Sequence, residues 1–502
     1  MSVKKINIKK ILVANRGEIA LRIMRSAREM GIRTVAIYSE ADINSPHVSY
    51  ADEAVCVGPP PSSQSYLKDD HIISLAMDLK VDAIHPGYGF LSENAEFARK
   101  VAQAGMSFIG PSPESIEIMG NKLAAKEAVA GYNIPLVPGT DTAISDPEEA
   151  IFIAKEIGFP VLIKASAGGG GKGMRVVRKE ADLEEEMNRA ISEAISAFGN
   201  GSVFLEKYIE SNKHIEFQIL GDQHGNIIHL FERECSIQRR HQKVIEEAPS
   251  AVLNPELRKE MGEAAVKVAK ACGYFGAGTV EFIFDENQKF YFLEMNTRLQ
   301  VEHPVTEEIT GIDLVKEQIH IAEGSTLAFN QEDLEIKGHS IELRVYAEDP
   351  ANDFLPDIGK LNTYQLPQGP GIRVDDGFIQ GMEIPIFYDP MISKLIATGR
   401  DRDEARKRMI RAIEEYLIIG IETTLDFGRY IMKHPVFIDG TFNTRFIEKY
   451  YDPQDLNPTQ NASNEDLTAL SAVAAFLVEE NKKKHVPSPV SGTLSRWKLR
   501  GR

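Results

Sequence analysis

The chain has 502 residues, of which 43% are hydrophobic and 26% charged, an ordinary composition for a globular protein. This length exceeds what one core usually supports and predicts about three domains. With 57 basic and 74 acidic residues, the net charge of −17 argues against nucleic acid or an anionic membrane as partner. The three cysteines show no CxxC spacing, and no apolar run approaches the ~20 residues of a membrane span. We therefore expect a cytoplasmic protein without structural zinc.

The first 120 residues alternate predicted strands and helices. Strand Lys10–Ala14 precedes helix Glu18–Met30, and further strands are predicted at Thr34–Tyr38, Ala83–His85 and Ser107–Ile109. Such a βαβ array predicts a parallel sheet. The first turn has a single glycine and lacks GxGxxG, so a dinucleotide site is not expected. A single helix is predicted over residues 112–131.

A glycine-rich segment follows the predicted strand Phe159–Lys164. It reads ASAGGGGKGM, and its four consecutive glycines would let backbone N–H groups surround an anion. A flexible linker is the alternative, but a strand pattern resumes at once at Met174–Val177. The segment does not match the Walker pattern GxxxxGK[ST]. We expect a flap that closes over phosphates, with Lys164 and Lys172 adding positive charge.

The segment Arg233–Lys243 holds three arginines, a histidine and a lysine. A solvated charged surface is the usual interpretation of such a run. Its position between predicted strands, in an acidic protein, instead favours anion binding. The strand before it, His214–Leu220, alternates in polarity and places His214, Glu216 and Gln218 on one face.

Two runs rich in aromatic and β-branched residues, Thr279–Phe284 and Phe290–Met295, flank a polar turn. This pattern predicts a β-hairpin. If the turn closes as a four-residue loop, Asp285 faces Phe290, and the same regular ladder continues along both strands.

That ladder would place Glu281 opposite Glu294. Asn296 would share their face, flanked by Ile283 and Phe292. Two adjacent carboxylates repel each other unless a cation or proton lies between them. Because such oxygen ligands suit Mg²⁺ or Mn²⁺, with nucleotide phosphates completing the shell, the hairpin predicts a metal site. The alternative is a hairpin with solvated acids.

Residues 335–450 have the pattern of an α+β domain, with short strands and a helix over Arg402–Tyr416. Arg344 lies on a polar strand face, where a cross-strand ion pair is the alternative to a functional role. The polar composition of Asp452–Asn464 predicts a linker, and Thr468–Glu480 a short helix.

Taken together, these segments resemble biotin carboxylase, the ATP-grasp component of acetyl-CoA, propionyl-CoA and pyruvate carboxylases. The matching motifs run in order from about residue 8 to 450. They are ILVANRGEIA, HPGYGFLSEN, GNK, GGGGKGM, EKYIE, HIEFQ, RRHQKVIEEAP, EMNTRLQVEHPVTE and ELRVYAEDP.

The resemblance implies an α/β and α+β multidomain fold. Residues 1–117 would form a Rossmann-like preATP-grasp domain, and 118–332 an ATP-grasp domain with a mobile glycine-rich lid at about 135–205. Residues 333–452 would form a C-terminal α+β domain, followed by a linker and tail of unassigned role at 453–502.

The resemblance also implies roles for individual residues. Contacts with ATP are expected from Lys122, Lys164, Gly168, Gly169, Gly170, Gly171, Lys172, Gly173, Met174, Glu206, Lys207, Tyr208, Ile209, His214, Gln238 and His241. The Mg²⁺ or Mn²⁺ ligands would be Glu281, Glu294 and Asn296. Bicarbonate would be bound by Lys243, Arg298 and the backbone of Val301. Glu302 would be the general base, and Arg344 would stabilise the biotin enolate.

The implied reaction is carboxylation of biotin with ATP and bicarbonate through carboxyphosphate. The chain lacks the Ala-Met-Lys-Met biotinylation motif, so biotin is expected on a separate biotin carboxyl carrier protein, together with carboxyltransferase subunits. By analogy with the family, we expect a homodimer. The alternatives are another bicarbonate-phosphorylating ATP-grasp ligase, such as half of a carbamoyl-phosphate synthetase, and a non-catalytic nucleotide-binding regulatory subunit. Retention of the complete set of site residues argues against the last.

Overall fold

The computed structural model describes residues 3, 5–140, 142–144, 146–165, 174–199, 201–240, 242–456, 468, 471–473 and 475–476. Most of the predicted glycine loop, including Gly168 to Gly173, and His241 lie outside the described residues. Residues Met1–Tyr451 form one compact unit and Asp452–Arg502 a second. In the second unit, residues 468, 471–473 and 475–476 are helical and lie within the predicted helix Thr468–Glu480. No described helix has the length and apolar character that a membrane crossing requires.

The N-terminal region contains the predicted parallel sheet, in the strand order β3-β2-β1-β4-β5. An edge strand, β3 (Glu53–Gly58), was not predicted, and its alternate residues Ala54 and Cys56 are solvent-exposed. The elements are β1 (Lys10–Val13), α1 (Gly17–Glu29), β2 (Arg33–Ser39), α2 (Pro46–Tyr50), β3 (Glu53–Gly58), α3 (Asp69–Asp78), β4 (Ala83–His85), α4 (Ala95–Gln103) and β5 (Ser107–Phe108).

The single helix predicted over residues 112–131 is two helices, α5 (Pro113–Gly120) and α6 (Lys122–Ala130). Asn121 separates them with an extended backbone, and its side chain accepts hydrogen bonds from the N–H groups of Leu123 and Ala124. Asparagine at an N-cap satisfies donors that the first helical turn leaves free. The sequence prediction was wrong here because the apolar periodicity continues across the break.

A separate three-stranded antiparallel sheet, with strand order β7-β6-β8, follows. Its elements are α7 (Pro147–Ile157), β6 (Val161–Ala165), β7 (Met174–Val177), α8 (Leu183–Phe198) and β8 (Val203–Lys207). The helices pack on the sheet through buried aliphatic residues such as Ala154, Leu183 and Met187. This sheet therefore has its own small core.

The largest sheet is antiparallel. It joins strands of the predicted ATP-grasp domain with strands of the predicted C-terminal domain. Its first elements are β9 (Asn212–Gly221), β10 (Ile227–Arg239), β11 (Gln242–Ala248), α9 (Pro255–Ala271), β12 (Gly276–Asp285), β13 (Phe290–Asn296), α10 (His303–Thr310) and α11 (Leu314–Ala322).

The remaining elements complete this sheet and pack beside it. They are β14 (His339–Tyr346), β15 (Glu348–Asp349), β16 (Leu355–Pro356), β17 (Thr363–Gln365), β18 (Ile372–Asp376), β19 (Met391–Gly399), α12 (Arg402–Glu415), β20 (Leu417–Ile419), α13 (Leu425–Lys433), α14 (Pro435–Ile438) and α15 (Phe446–Tyr450). The strand order of the large sheet is β13-β12-β9-β10-β11-β14-β19-β18. Because β11 pairs with β14, residues from distant parts of the chain share one sheet face.

The predicted hairpin is β12–β13, but its ladder is irregular. Phe284 pairs with Phe290, so the prediction that Asp285 faces Phe290 was wrong by one residue. A β-bulge at Leu293 corrects the offset, and Glu281 pairs with Glu294 as predicted.

The bulge determines which side chains lie on the same sheet face as the two glutamates. Phe292 pairs with Phe282 and lies in the apolar core with Phe217 and Met261, so the prediction that Phe292 flanks the acidic face was wrong. A bulge shifts alternation by one residue, which sequence periodicity cannot show.

Helix α9 packs on the apolar face of this sheet and begins at a capped terminus. The Asn254 side chain accepts a hydrogen bond from the Leu257 N–H at 2.8 Å. We expect Asn254→Ala to lower the free energy of unfolding by about 1 kcal/mol, because this N–H loses its protein partner. Urea unfolding measures the change, and Asn254→Asp, which restores the acceptor, should recover most of the loss. Equal stability of Asn254→Ala and wild type would contradict this role.

Candidate active site

The ammonium group of Lys243 lies at the centre of a cluster of acidic side chains on the polar face of the large sheet. Its Nζ donates to Glu281 Oε1 at 2.9 Å, to Glu302 Oε1 at 2.7 Å, and to Glu216. The three carboxylates come from β9, β12 and the turn before α10, and each is at most 4% exposed. One cation therefore joins segments that are far apart in the chain.

The protonation states of this cluster follow from burial and charge. Burial alone would raise the pKa of Glu302, but Lys243, Arg344 and Arg233 together lower that pKa below its usual value. Burial would likewise raise the pKa of Glu281, but Lys243 and His214 hold it well below its usual value. Burial would lower the pKa of Lys243, yet the surrounding carboxylates hold it well above its ordinary value. All these groups are ionised at neutral pH, so Glu302 is able to accept a proton.

The predicted metal ligands lie on the β12–β13 hairpin, beside the Lys243 cluster. Glu281 and Glu294 are cross-strand partners, and the Asn296 amide donates to Glu281 Oε1 at 2.8 Å. Glu294 contacts Lys122 Nζ at 3.4 Å and keeps about a third of its side chain exposed. Two carboxylates on one face, one of them open to solvent, form the hard oxygen donor set that suits Mg²⁺. The residues present fit the predicted ion.

Glu302 also contacts the arginine predicted to act on biotin. Arg344 Nη2 donates to Glu302 Oε2 at 3.0 Å, and its Nε donates to Glu246 Oε1 at 2.6 Å. Arg344 is on β14, beside β11, which carries Glu246. The cross-strand ion pair that the sequence left as an alternative therefore exists, but the same guanidinium also reaches the predicted base.

The residues predicted to bind bicarbonate lie around the same base. Arg298 Nη2 donates to Asn296 Oδ1 at 3.1 Å, and its Nε donates to Glu93 at 2.9 Å. The backbone carbonyl of Val301 accepts a hydrogen bond from Lys394 at 2.9 Å. The structure thus brings together Lys243, Arg298, Glu302 and Arg344, as well as the three predicted metal ligands.

His214 lies beside the metal ligands rather than in an isolated pocket. Its Nε2 is 2.8 Å from Glu281 Oε2. Burial would lower the pKa of His214, but the Glu281 carboxylate raises it to about 9. The imidazole is therefore positively charged at neutral pH and supports Lys243 in balancing the acidic cluster.

A second cluster of predicted site residues lies on the three-stranded sheet. Lys164 on β6 and Lys126 on α6 both bond the Glu206 carboxylate on β8. Burial would raise the pKa of Glu206, but Lys164 and Lys126 lower it. The resemblance predicts that Lys164 and Glu206 both contact ATP, and the structure pairs their side chains directly.

The other residues predicted to contact ATP have different local partners. The Lys207 ammonium donates to the carbonyls of Gly158 and Phe159, and the Gln238 amide donates to the Cys235 carbonyl. Arg178 lies over the ring of Tyr208. The Ile209 carbonyl accepts from Asn212, and Met174 begins β7 opposite Lys164. The predicted contacts of Gly168 to Gly173, Lys172 and His241 lie outside the described residues.

Sequence reasoning missed the central role of Arg233. This side chain is fully buried in β10 and bonds Glu216 Oε1 at 2.6 Å, Gln218 at 2.7 Å and Thr306 at 3.0 Å. Arginine binds several acceptors in fixed directions, so it orients Glu216 toward Lys243. The available signal was the polar face of the preceding strand, where Glu216 and Gln218 alternate with apolar residues.

The three arginines of the charged segment Arg233–Lys243 each pair with a carboxylate. The segment belongs to β10, β11 and the turn between them, and Arg233 pairs with Glu216. Arg239 pairs with Glu348, and Arg240 with Asp353. The expectation of anion binding was wrong for Arg233, because its guanidinium is fully buried against Glu216. For Arg239 and Arg240 it stays a prediction.

Three family models match consecutive parts of the chain. The N-terminal domain of biotin carboxylase matches residues 7–116, and the C-terminal domain of biotin carboxylase matches residues 342–449. Between them, the ATP-binding domain of the carbamoyl-phosphate synthase L chain matches residues 121–330. The chain belongs to the biotin carboxylase family.

Known members of the biotin carboxylase family agree with this assignment. Biotin carboxylase 1 of Bacillus subtilis is 54% identical over 88% of this chain and 99% of its own. The biotin carboxylase of Halalkalibacterium halodurans is 52% identical over 88% of this chain and 98% of its own. The Hydrogenobacter thermophilus biotin carboxylase domain dimer of 2-oxoglutarate carboxylase, crystallised with MgADP, ADP and bicarbonate, has a TM-score of 0.85 and 52% identity over 88% of this chain and 98% of its own. The chain is therefore an ATP-dependent ligase of this family, with ATP, Mg²⁺, bicarbonate and biotin as its cofactors and substrates.

The position of His214 makes stability depend on pH. Its pKa of about 9 in the folded protein exceeds the unfolded value of about 6.5, so its contribution is complete below pH 6.5 and is lost as pH rises through 9. We expect His214→Gln to be destabilised at pH 6 by a few kcal/mol relative to wild type, with the gap closing above pH 9. Urea unfolding at several pH values measures this difference.

The exposed residue His71 provides the control. His71→Gln should retain the stability profile of wild type at every pH. A constant stability difference between His214→Gln and wild type from pH 6 to pH 10 would contradict the contact with Glu281.

Proposed function

We propose that this chain catalyses the first half-reaction of a biotin-dependent carboxylase through carboxyphosphate. The observation that carries the proposal is the junction of Lys243, Glu302 and Arg344 beside the opposed pair Glu281 and Glu294. The proposed metal ligands, the proposed base and an arginine meet at one face of the large sheet, and each step of this reaction requires one of them.

Lys243 and Arg298 would hold bicarbonate beside Glu302. Glu302 is ionised and would remove the bicarbonate proton, which makes the anion a better nucleophile toward the γ-phosphate of ATP. Glu281, Glu294 and Asn296 would hold Mg²⁺, which neutralises charge on the phosphoryl oxygens. The cations Lys122 and Lys164, with the glycine loop, would stabilise the same oxygens.

Arg344 would act on the second substrate. Loss of the biotin N1′ proton, taken in the family scheme by phosphate from the breakdown of carboxyphosphate, places negative charge on the ureido oxygen. A guanidinium that is already held by Glu246 and Glu302 is oriented before this charge develops. Such preorganisation favours carboxylation of N1′ by the released CO₂.

We further propose a biotinylated carrier protein as the substrate, carboxyltransferase subunits as partners, a homodimer and a cytoplasmic location. The domain dimer of the Hydrogenobacter relative supports the oligomeric state. The relatives include subunits of pyruvate and 2-oxoglutarate carboxylases, so the proposal concerns the half-reaction that they share.

ATP cleavage by the purified chain, with and without bicarbonate and free biotin, tests the proposed function. We expect bicarbonate-dependent release of phosphate and formation of carboxybiotin. Nucleotide binding without bicarbonate-dependent cleavage would instead support the non-catalytic regulatory role. Cleavage that depends on bicarbonate but never yields carboxybiotin would favour another bicarbonate-phosphorylating ligase.

Glu302→Gln removes the proposed base while keeping the shape of the side chain. We expect bicarbonate-dependent ATP cleavage to fall by about 100-fold or more, because proton removal is lost. Binding of MgATP, measured by calorimetry, should survive. Cleavage at the wild-type rate would exclude Glu302 as the base.

Glu294→Ala removes one of the two proposed metal carboxylates. We expect the affinity for magnesium nucleotide to fall by about tenfold or more, as is typical when groups that support a metal site are lost. A magnesium titration of nucleotide binding measures the change. Glu286→Ala, which removes an exposed acid from the turn of the same hairpin, should leave the titration unchanged. Identical titrations for both variants would contradict the metal assignment.

A further inference from the structure

A fully buried lysine, Lys394, holds the peptide that precedes the proposed base. It lies on β19, is 0% exposed, and its Nζ donates to the Val301 carbonyl at 2.9 Å. That carbonyl belongs to the peptide bond between Val301 and Glu302. The hydrogen bond therefore fixes the plane of the peptide from which the Glu302 side chain extends.

The strand register explains why this lysine reaches the segment. Lys394 is the cross-strand partner of Arg344 on β14, so the two side chains share a sheet face. Arg344 bonds the carboxylate of Glu302, while Lys394 bonds the carbonyl of the residue before it. Two adjacent strands thus hold two consecutive residues of the turn that leads into α10.

The Lys394 ammonium also lies near two acidic residues outside this turn. Glu18 Oε1 on α1 lies 3.3 Å from Lys394 Nζ, and Asp375 Oδ2 on β18 lies 3.9 Å from it. Glu18 in turn accepts a hydrogen bond from the Tyr88 hydroxyl, in the loop after β4. Asp375 is already paired with Arg373 at 2.7 Å. The Lys394 ammonium therefore contacts α1, the Val301 turn and β18 at the same time.

Burial of an ammonium group is costly unless its donors are satisfied. A structural ion pair with Glu18 alone would not require the Val301 carbonyl, and the carboxylate contact is longer than the carbonyl contact. We infer that Lys394 is a positioning residue for the reaction, which holds the Val301–Glu302 peptide so that Glu302 faces bicarbonate. This inference rests on the proposed function, since it assigns Lys394 a role through Glu302.

Lys394→Met tests the inference, because methionine fills similar volume without a donor. We expect kcat/KM for bicarbonate in ATP cleavage to fall by about 10- to 100-fold, the effect typical of a displaced catalytic group. The dissociation constant for MgATP should stay near that of wild type. Bicarbonate kinetics equal to wild type in Lys394→Met would overturn the inference.

Two matched variants separate positioning from charge balance. Glu18→Gln disturbs the same buried cluster but keeps the bond to Val301, so its bicarbonate kinetics should stay close to those of wild type. The double variant Glu18→Gln/Lys394→Met removes the lysine together with the carboxylate charge at position 18, so this buried carboxylate is not left without its cation. It can therefore be assayed if Lys394→Met alone does not fold. It should show the same loss in kcat/KM as Lys394→Met. Full activity of this double variant, or an equal loss in Glu18→Gln alone, would overturn the inference.

The wild-type assay distinguishes failure of this inference from failure of the proposed function. If wild type shows no bicarbonate-dependent ATP cleavage, the proposed function is wrong and the inference falls with it. If wild type is active and Lys394→Met equals it, only the positioning role is wrong.

Discussion

The candidate site depends on one buried cation and the carboxylates around it. Lys243 bonds Glu216, Glu281 and Glu302, which would otherwise repel one another in a region of low dielectric constant. Each carboxylate arrives on a different segment, so the ammonium also determines how those segments meet. Removing one partner from such a cluster leaves uncompensated buried charge, which is far more costly than loss of a surface ion pair.

The large antiparallel sheet provides the rigid support for this cluster. The pairing of β11 with β14 brings Glu246 and Arg344 together, and the pairing of β14 with β19 adds Lys394. Side chains on neighbouring strands are held at fixed spacing, which suits groups that must stay oriented as charge develops. Strands from both the predicted ATP-grasp domain and the predicted C-terminal domain therefore form the sheet face that carries the site.

Local positive charge also explains how an acidic protein can bind anions. The net charge is −17, yet Lys243, Arg298 and Arg344 lie close together, and Lys164 and Lys126 form a second basic pair. Each of these cations is held by a protein carboxylate or amide. Incoming phosphate or bicarbonate would exchange partners within an existing network of ions, so neither ligand needs an excess of positive charge over the whole surface.

The sequence alone determined the parallel N-terminal sheet, the acidic hairpin and the family, because periodicity and motifs are local properties. It could not locate the bulge at Leu293, since one inserted residue changes alternation without changing composition. It also assigned Arg233 to anion capture and left Lys394 without a role. Only tertiary structure decided these points, because a charged side chain acquires its function from the carboxylate or carbonyl that folding places against it. That partner lies 17 residues away for Arg233 and 93 residues away for Lys394.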